Sequence, residues 1–573
     1  MTKNRGKRSK TIKSPSPFLL MFLIVAAAFL VYLNSLHSPF VFDDKIYITQ
    51  NKSIRDLFDL AAMWKANRTR FVAYFSFALN YRFSGLEVFW YHLTNIAVHA
   101  GASLFVWRMA YLIGKEENEV GNKETWVVPF FAGILFAVHP VQTQAVTYIC
   151  QRITSLATFF YLAAFVLYLE GRISSRGGGK IRYVFFCGAC CFCIFAMFTK
   201  EISVTLPVMI ICYEIIFNKG QKFREKIKYV VPAAAAILII PLAIGLFGDT
   251  KLGQILNVFQ RSNSYLVSTY FFTQLKVICT YIRLAFVPFG QNLDYDYLVS
   301  DSFFEPSVIA SAVVLCSIIF TAFIMRKNNK KLFFCVSWFF ITVLPQSSFF
   351  VSEDLIFEHR LYLPLAGFAV FLPEAVSIIT GRKNKQLLMV ILVIISVIYG
   401  GMTIARNAVW RDGISLWTDV IKKSPNKVRG YHNRGVLYYE SGETDKALMD
   451  YDKAIGILFR IKAEKAAYYE LMQKTGVWTE EFIVEIKLDN AKIFCDRGIV
   501  YTVRGEKDKA ISDFDSAIEI NPKYALAYKN RAVAYFLKGE YDKSRQDVKK
   551  AQELGAVMAP DFMRELNRRS GAR

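Results

Sequence analysis

Two adjacent carboxylates, Asp43 and Asp44, follow the first long apolar run of the chain. A carboxylate pair at a membrane boundary is costly unless it is solvated, paired with cations or put to use. In use, such a group is a general base for a proton within hydrogen-bond reach. Three further polar positions sit at the edges of apolar runs: Arg152, Lys200 with Glu201, and Glu358-His359-Arg360. Cations placed there suit an anion, and arginine offers a bidentate fork. Plainer readings stand beside these. The acids are a solvated pair neutralised by Lys45 or Arg82, Lys200 pairs with Glu201, and Arg152 snorkels outward. His139 and Gln144 open the polar turn 139–152, and Gln144, Tyr148 and Arg152 share a face if that turn is helical. A metal site is not expected. His37, His92, His99, His139 and His359 show no ligand spacing, and the Cys190-Cys191-x-Cys193 cluster lacks a second ligand pair.

The elements that must hold these residues are membrane helices. The chain has 573 residues, 54% hydrophobic and 15% aromatic, with mean hydropathy +0.28, which is too apolar for a soluble protein of this length. Runs near ~20 residues recur down to about residue 404, each long enough to cross a hydrocarbon core of ~30 Å. The formal net charge is +23. Much of it falls in short loops, where it acts as an orientation signal and argues against nucleic acid as a partner. Placing the basic head 1–16 and the loops 172–182, 219–228, 326–331 and 382–385 in the cytoplasm requires about eleven spans between 17 and 405. The segment 264–288 carries Lys276 and Arg283, and reads as an interfacial or re-entrant helix. The outer loops are then 35–87, 139–151, 248–305 and 347–360, and the tail 406–573 is also outside. The first run, after its basic head, reads as a retained anchor. Asp294 and Asp296 read as decorations of a solvated outer loop.

The tail repeats itself. YHNRGVLYYESGETDKALMDYDKAIGI (431–457), FCDRGIVYTVRGEKDKAISDFDSAIEI (494–520) and YKNRAVAYFLKGEYDKSRQDVKKAQEL (528–554) align, the last two offset by 34 residues, the tetratricopeptide period. Gly435, Gly498 and Ala532 allow close helix approach. Gly442, Gly505 and Gly539 fall at tight turns. The stretch 458–493 departs from the pattern. Such arrays bind peptides or partner proteins through a concave face.

Several motifs resemble bacterial relatives of the transmembrane-and-tetratricopeptide O-mannosyltransferases: FVFDDKIYITQN (40–51), YHLTNIAVHA (91–100), HPVQTQAVTYICQR (139–152), TKEISVTLPV (199–208), FGQNLDYDY (289–297) and EHRLYLPLAG (358–367). That family is similar to the protein O-mannosyltransferases of the GT-C class, which carry Asp-Glu where this chain has Asp43-Asp44. The resemblance implies an all-α polytopic fold of about eleven membrane helices with an extracytoplasmic tetratricopeptide solenoid. It implies transfer of a sugar, mannose or similar, from a polyprenyl phosphate to Ser/Thr hydroxyls of exported protein. Asp43 or Asp44 is then the catalytic base, and Arg152, Lys200 and Arg360 hold the donor phosphate. His139, Gln144, Glu201, Glu358 and His359 support them. The partners are the bilayer, the lipid-linked sugar and an acceptor or partner peptide at the repeats. No cofactor is expected, and the short repeat array suggests a bacterial inner membrane. Asn51-Lys-Ser53 and Asn67-Arg-Thr69 match the glycosylation acceptor pattern, by chance in a bacterium. Two alternatives stand: a non-enzymatic membrane scaffold for envelope proteins, and a transferase acting on a glycan or lipid.

Overall fold

The computed structural model describes residues 15–117, 126–176, 180–218, 223–236, 238, 264–348, 354–381, 384–464 and 480–571. The residues of the basic head up to Ser14, and 177–179, 219–222 and 382–383 of the basic loops used to orient the chain, lie outside them. The described elements are helical throughout. They form two units. The first runs to Arg411, without Ser262–Leu266 and Asn292–Tyr297; the second is Asp412–Arg573 together with those two stretches.

In the first unit, five helices are long and apolar enough to cross a membrane: Pro17–Ser35, Val88–Lys115, Ile149–Ser175, Pro306–Met325 and Lys385–Ala408. A sixth crossing forms if Val127–Val138 and Pro140–Val146, bent by 46° at His139, are one broken span. Other runs expected to span are helical but shorter, among them Ile181–Met197 and Pro364–Ile379. Thr205–Phe217 and Lys330–Val343 are shorter still. The helix Val127–Val138 is buried along nearly its whole length, as expected of a helix apolar on all sides. Pro306–Met325 and Lys385–Ala408 instead expose rows of large apolar side chains, including Val313, Phe320, Val393 and Val397. Apolar surface of that extent fits a lipid-facing helix.

A buried ion pair lies inside this unit. Glu214, fully buried, accepts from Arg172 Nε at 2.6 Å, Arg172 Nη2 at 2.9 Å and Tyr168 Oη at 2.6 Å. Breaking such a pair leaves an uncompensated charge, which costs about 3–5 kcal/mol. The segment 264–288 forms the helix Ser264–Phe286. Tyr270, Gln274 and Tyr281 donate from it to the carbonyls of Gln346, Leu355 and Phe357, so it braces the loop that carries Glu358–Arg360.

The second unit stacks helix pairs: Val428–Glu440 on Thr444–Glu464, Glu480–Val503 on Lys507–Ile520, and Ala525–Lys538 on Tyr541–Glu553. Gly435 is needed because a Cβ there would lie 2.7 Å from the Tyr451 ring. Gly505, with φ +78°, turns one helix into the next. In each repeat an arginine on the first helix forks onto an aspartate of the second: Arg434 onto Asp450, Arg497 onto Asp513, Arg531 onto Asp547, all bonds 2.7–2.8 Å. Arg497 also donates to Asp452 of the preceding repeat at 2.6 Å, which ties neighbouring repeats. The irregular stretch 458–493 is helical as far as Glu464 and again from Glu480; the residues between lie outside the description.

Candidate functional site

Phe42 holds φ +49°, a left-handed conformation that costs a bulky residue about 1–3 kcal/mol and persists only where the surroundings enforce it. What enforces it is the seat of the two acids. The Asp44 carboxylate accepts the Val41 amide at 3.0 Å on Oδ2 and the Cys150 amide at 2.7 Å on Oδ1. The Asp43 amide donates to Tyr148 Oη at 2.9 Å, and the Phe42 ring stacks on Tyr148. The turn 42–44 is thereby clamped to residues 148–150.

The two acids differ. Asp43 is half-buried, whereas Asp44 is 0% exposed. The reading of both as a solvated pair is corrected for Asp44. Burial pushes its carboxyl up to about 7, against the opposing pull of the Val41 and Cys150 amides. Asp44 therefore fastens the turn, and Asp43 is the more accessible of the two acids.

The chain continues into the short helical turn Lys45–Thr49, where Tyr47 Oη accepts from Arg70 Nη1 at 3.0 Å. Arg70 follows Asn67, whose side-chain oxygen caps the turn at the Arg70 amide, 3.2 Å. Its Nε lies 3.6 Å from Glu201 Oε1, which also accepts from Thr69 Oγ1 at 2.8 Å. Lys200 turns the other way and donates to Thr154 Oγ1 at 2.6 Å, buried to 5% exposure. Lys200 and Glu201 therefore take different partners rather than each other. Burial first, then the charges of Arg70 and Arg360, bring the Lys200 ammonium down to about 7.

Arg360 donates to the carbonyls of Gln346, Leu355 and Asp354 at 3.2, 3.2 and 2.7 Å. His359 beside it is buried, and its amide donates to Gln144 Oε1 at 2.6 Å. Burial and the charges of Lys200, Arg360 and Arg70 drive the His359 imidazole well below its usual range, so it is neutral. Glu358 accepts from Gln291 at 3.1 Å, and Gln291 also donates to the Pro140 carbonyl. His139 is set by its neighbours: Nδ1 accepts the Val141 amide and Nε2 meets the Ala285 carbonyl at 2.9 Å. It holds the bend rather than any ligand.

Among the described residues, the buried polar atoms without a hydrogen-bond partner include Gln144 Nε2, His359 Nδ1, Ser203 Oγ, three residues after Lys200, and Ser347 Oγ, next in sequence to the Gln346 whose carbonyl Arg360 grips. Orphan buried polar atoms are uncommon and want a ligand or water. Arg70, Lys200 and Arg360 lie within mutual electrostatic reach, since both arginines act on Lys200 and all three act on His359.

Arg152 is differently employed. It is fully buried, and its Nε donates to Asn95 Oδ1 at 2.6 Å and Nη2 to the Tyr91 carbonyl at 2.9 Å. Nη1 meets the Ser76 carbonyl at 3.3 Å and Asn80 Oδ1. A phosphate would have to displace these neutral acceptors, as it would the three carbonyls that Arg360 holds. Arg152, however, acts on neither Lys200 nor His359, whereas Arg360 acts on both. The shared face of Gln144, Tyr148 and Arg152 is also corrected. The backbone leaves the helix at Tyr148, with φ −74° and ψ 107°, so the three point to His359, Asp43 and Asn95 respectively. Sequence reading missed Arg70 and Tyr47. The Asn67-Arg-Thr69 tripeptide that drew attention as a glycan pattern is a cap followed by the Glu201 contact; Asn51 likewise caps Ser53.

Comparison with known proteins bears on this arrangement. Residues 428–457 match the tetratricopeptide repeat model and 498–539 the TPR repeat model. A protein O-mannosyl-transferase of Caenorhabditis elegans is 26% identical over 471 residues, 78% of this chain and 64% of that protein. At the family level, the chain is related to the protein O-mannosyl-transferases. One from Drosophila melanogaster is 23% identical over 79% of this chain and 56% of its own length, and the human TMTC4 protein 23% over 76% and 66%. The chain thus spans roughly between half and two thirds of the relatives it matches, and both acids and all three cations fall in its membrane unit.

Proposed function

We propose that the chain is a membrane glycosyltransferase. It moves a sugar, mannose or a close relative, from a polyprenyl phosphate to Ser/Thr hydroxyls of protein on the extracytoplasmic face. The observation that carries this reading is the cation cluster of half-buried Arg70 with buried Lys200 and Arg360, linked through Tyr47 to the turn that bears Asp43. In the proposed step the Asp43 carboxylate accepts the hydroxyl proton. The hydroxyl oxygen bonds to the anomeric carbon, the bond from that carbon to the phosphate oxygen breaks, and the departing lipid phosphate carries the charge. Arg70, Lys200 and Arg360 stabilise that charge, Lys200 and Arg360 from buried positions where such interactions are strongest. His359 and Gln144 supply neutral donors. Arg152 acts through Asn95 and Tyr91 to hold the helices that frame the site. Relatives named as protein O-mannosyl-transferases support a protein acceptor, and the repeats suit the presentation of an acceptor or partner chain. Glu201 and Glu358 keep Arg70 and Gln291 in place. The eleven-span topology, with the repeats outside an inner membrane, is part of this proposal.

The test is turnover. Purified chain in lipid nanodiscs is given radiolabelled mannosyl polyprenyl phosphate and a Ser/Thr-rich peptide, with Asp43→Asn as control. Labelled peptide from the parent and not from the control is expected. Hydrolysis or transfer at equal rates in both would defeat the assignment, and label recovered only on a glycan or lipid would move the acceptor class.

A further inference from the structure

Within the second unit, the short stretch Asn292–Tyr297 is seated against the start of the repeats. Its central residue is Asp294, 4% exposed. One carboxylate oxygen meets Lys427 Nζ at 3.2 Å and the other meets Arg429 Nε at 2.8 Å. Ser424 Oγ accepts twice from the same stretch, from Asn292 Nδ2 at 2.8 Å and from the Asp296 amide at 2.9 Å. Asn292 also donates to the Asp294 carbonyl at 3.0 Å, which folds the stretch on itself. The reading of Asp294 as a decoration of a solvated loop is therefore corrected. A buried carboxylate held on both oxygens, with a serine reading the adjoining backbone, is how a peptide site recognises an acidic residue.

We infer that Ser424, Lys427 and Arg429 form a peptide-recognition site for an aspartate-bearing polypeptide segment, filled in cis by Asn292–Tyr297. Three features define what it takes. The two cations demand a carboxylate, the serine demands a backbone N–H two residues further on, and the paired contacts demand a segment that can turn tightly between them. An acidic segment of another polypeptide with these features competes with the chain's own. Such competition has the effective-concentration advantage of the tethered segment to overcome, so binding in trans is weak until the cis segment is displaced. The site stands whether or not the membrane unit transfers sugar.

The experiment uses the full chain in detergent micelles and a fluorescent peptide of the sequence 289–300, FGQNLDYDYLVS. Asp294→Arg sets a cation against Lys427 and Arg429 and empties the site. The peptide is expected to bind Asp294→Arg at least ~10-fold more tightly than the parent, as the tethered competitor is removed. A peptide with Asn in place of the aspartate, or addition of Arg429→Ala to the protein, is expected to remove that binding. Equal binding to parent and Asp294→Arg, or indifference to the aspartate, overturns the inference. Hydrogen exchange tests it without a vacated site. Asp294→Asn should speed exchange of the Asp296 amide by ~10-fold or more while amides of 498–554 keep the parent's protection. Unchanged protection at Asp296 overturns the inference equally.

Discussion

Asp44 makes the sharpest test of how the acid turn is built. Its carboxyl lies at about 7, raised by burial, against about 3.9 in an unfolded chain. Between those values the folded protein keeps a proton that the unfolded chain has released, so stability falls as pH rises across the window. Three pK units at 1.36 kcal/mol each give a loss of about 4 kcal/mol, complete above pH ~7. Asp44→Asn removes the ionisation but keeps only one acceptor oxygen, so it strands either the Val41 or the Cys150 amide. It should lie about 1–3 kcal/mol below the parent near pH 4, and overtake it by about 1–3 kcal/mol near pH 8, where the parent has lost about 4 kcal/mol. Asp44→Ala is different, because it strands the Val41 and Cys150 amides. Each buried donor left unpaired costs about 1–3 kcal/mol, and this variant strands both where Asp44→Asn strands one, so it should lie about 1–3 kcal/mol below Asp44→Asn at all pH. Asp43→Asn should leave stability within ~1 kcal/mol of the parent and slow transfer by ~10²–10⁴-fold. The assay is chemical unfolding in mixed micelles from pH 4 to 8, beside sugar transfer. A parent whose stability climbs with pH in this window, or an Asp44→Asn curve parallel to the parent's, refutes the reasoning.

Other outcomes follow from the same contacts. Arg152→Lys loses the fork to Asn95, Ser76, Asn80 and Tyr91 and should lower membrane abundance by severalfold, with activity per molecule preserved in what remains; quantitative blotting beside specific activity checks this. Lys200, at about 7 when the site is empty, gains its proton as an anion arrives. Donor affinity should therefore fall as pH rises above 7, by up to ~10-fold per unit, and Lys200→Arg should flatten that profile in a binding titration. Gly498→Val drives a side chain into the Phe514 ring, 2.7 Å from the position of its Cβ, and should cost about 1–3 kcal/mol with early melting of the repeats by circular dichroism.

What the sequence disclosed was whatever depends on neighbours in the chain. The repeats were legible because glycine, tyrosine and alanine recur at fixed offsets on helices that pack on each other, and Ala447, Ala510 and Ser544 are all fully buried. The placement of Asp43-Asp44 after the first apolar run was legible for the same reason. What stayed hidden depends on partners far along the chain. Arg152 at the edge of a run reads equally as an anion ligand or as a framework residue, and Asn95 and Ser76, which decide it, lie 57 and 76 residues away. Asp294 reads as solvated until Arg429, 135 residues later, is brought beside it. Arg70 sits in a polar loop with no apolar pattern to single it out, and only the fold sets it next to Glu201. The number of crossings is hidden for another reason. Helices such as Thr205–Phe217 are apolar but, at 13 residues, span about 20 Å at 1.5 Å per residue, less than a bilayer core.

The proposed site has a charge that arrives with its ligand. Arg70 is held from two sides, its Nη1 donating to Tyr47 Oη at 3.0 Å and its Nε lying 3.6 Å from Glu201 Oε1, and Arg360 is held by the carbonyls of Gln346, Leu355 and Asp354. Both guanidinium groups stay charged whether the site is empty or filled. Lys200 is the group that changes, because its ammonium is only marginally retained near neutrality. In the proposed reaction an entering phosphate would restore that proton, so the third positive charge would be in place as negative charge develops on the leaving group.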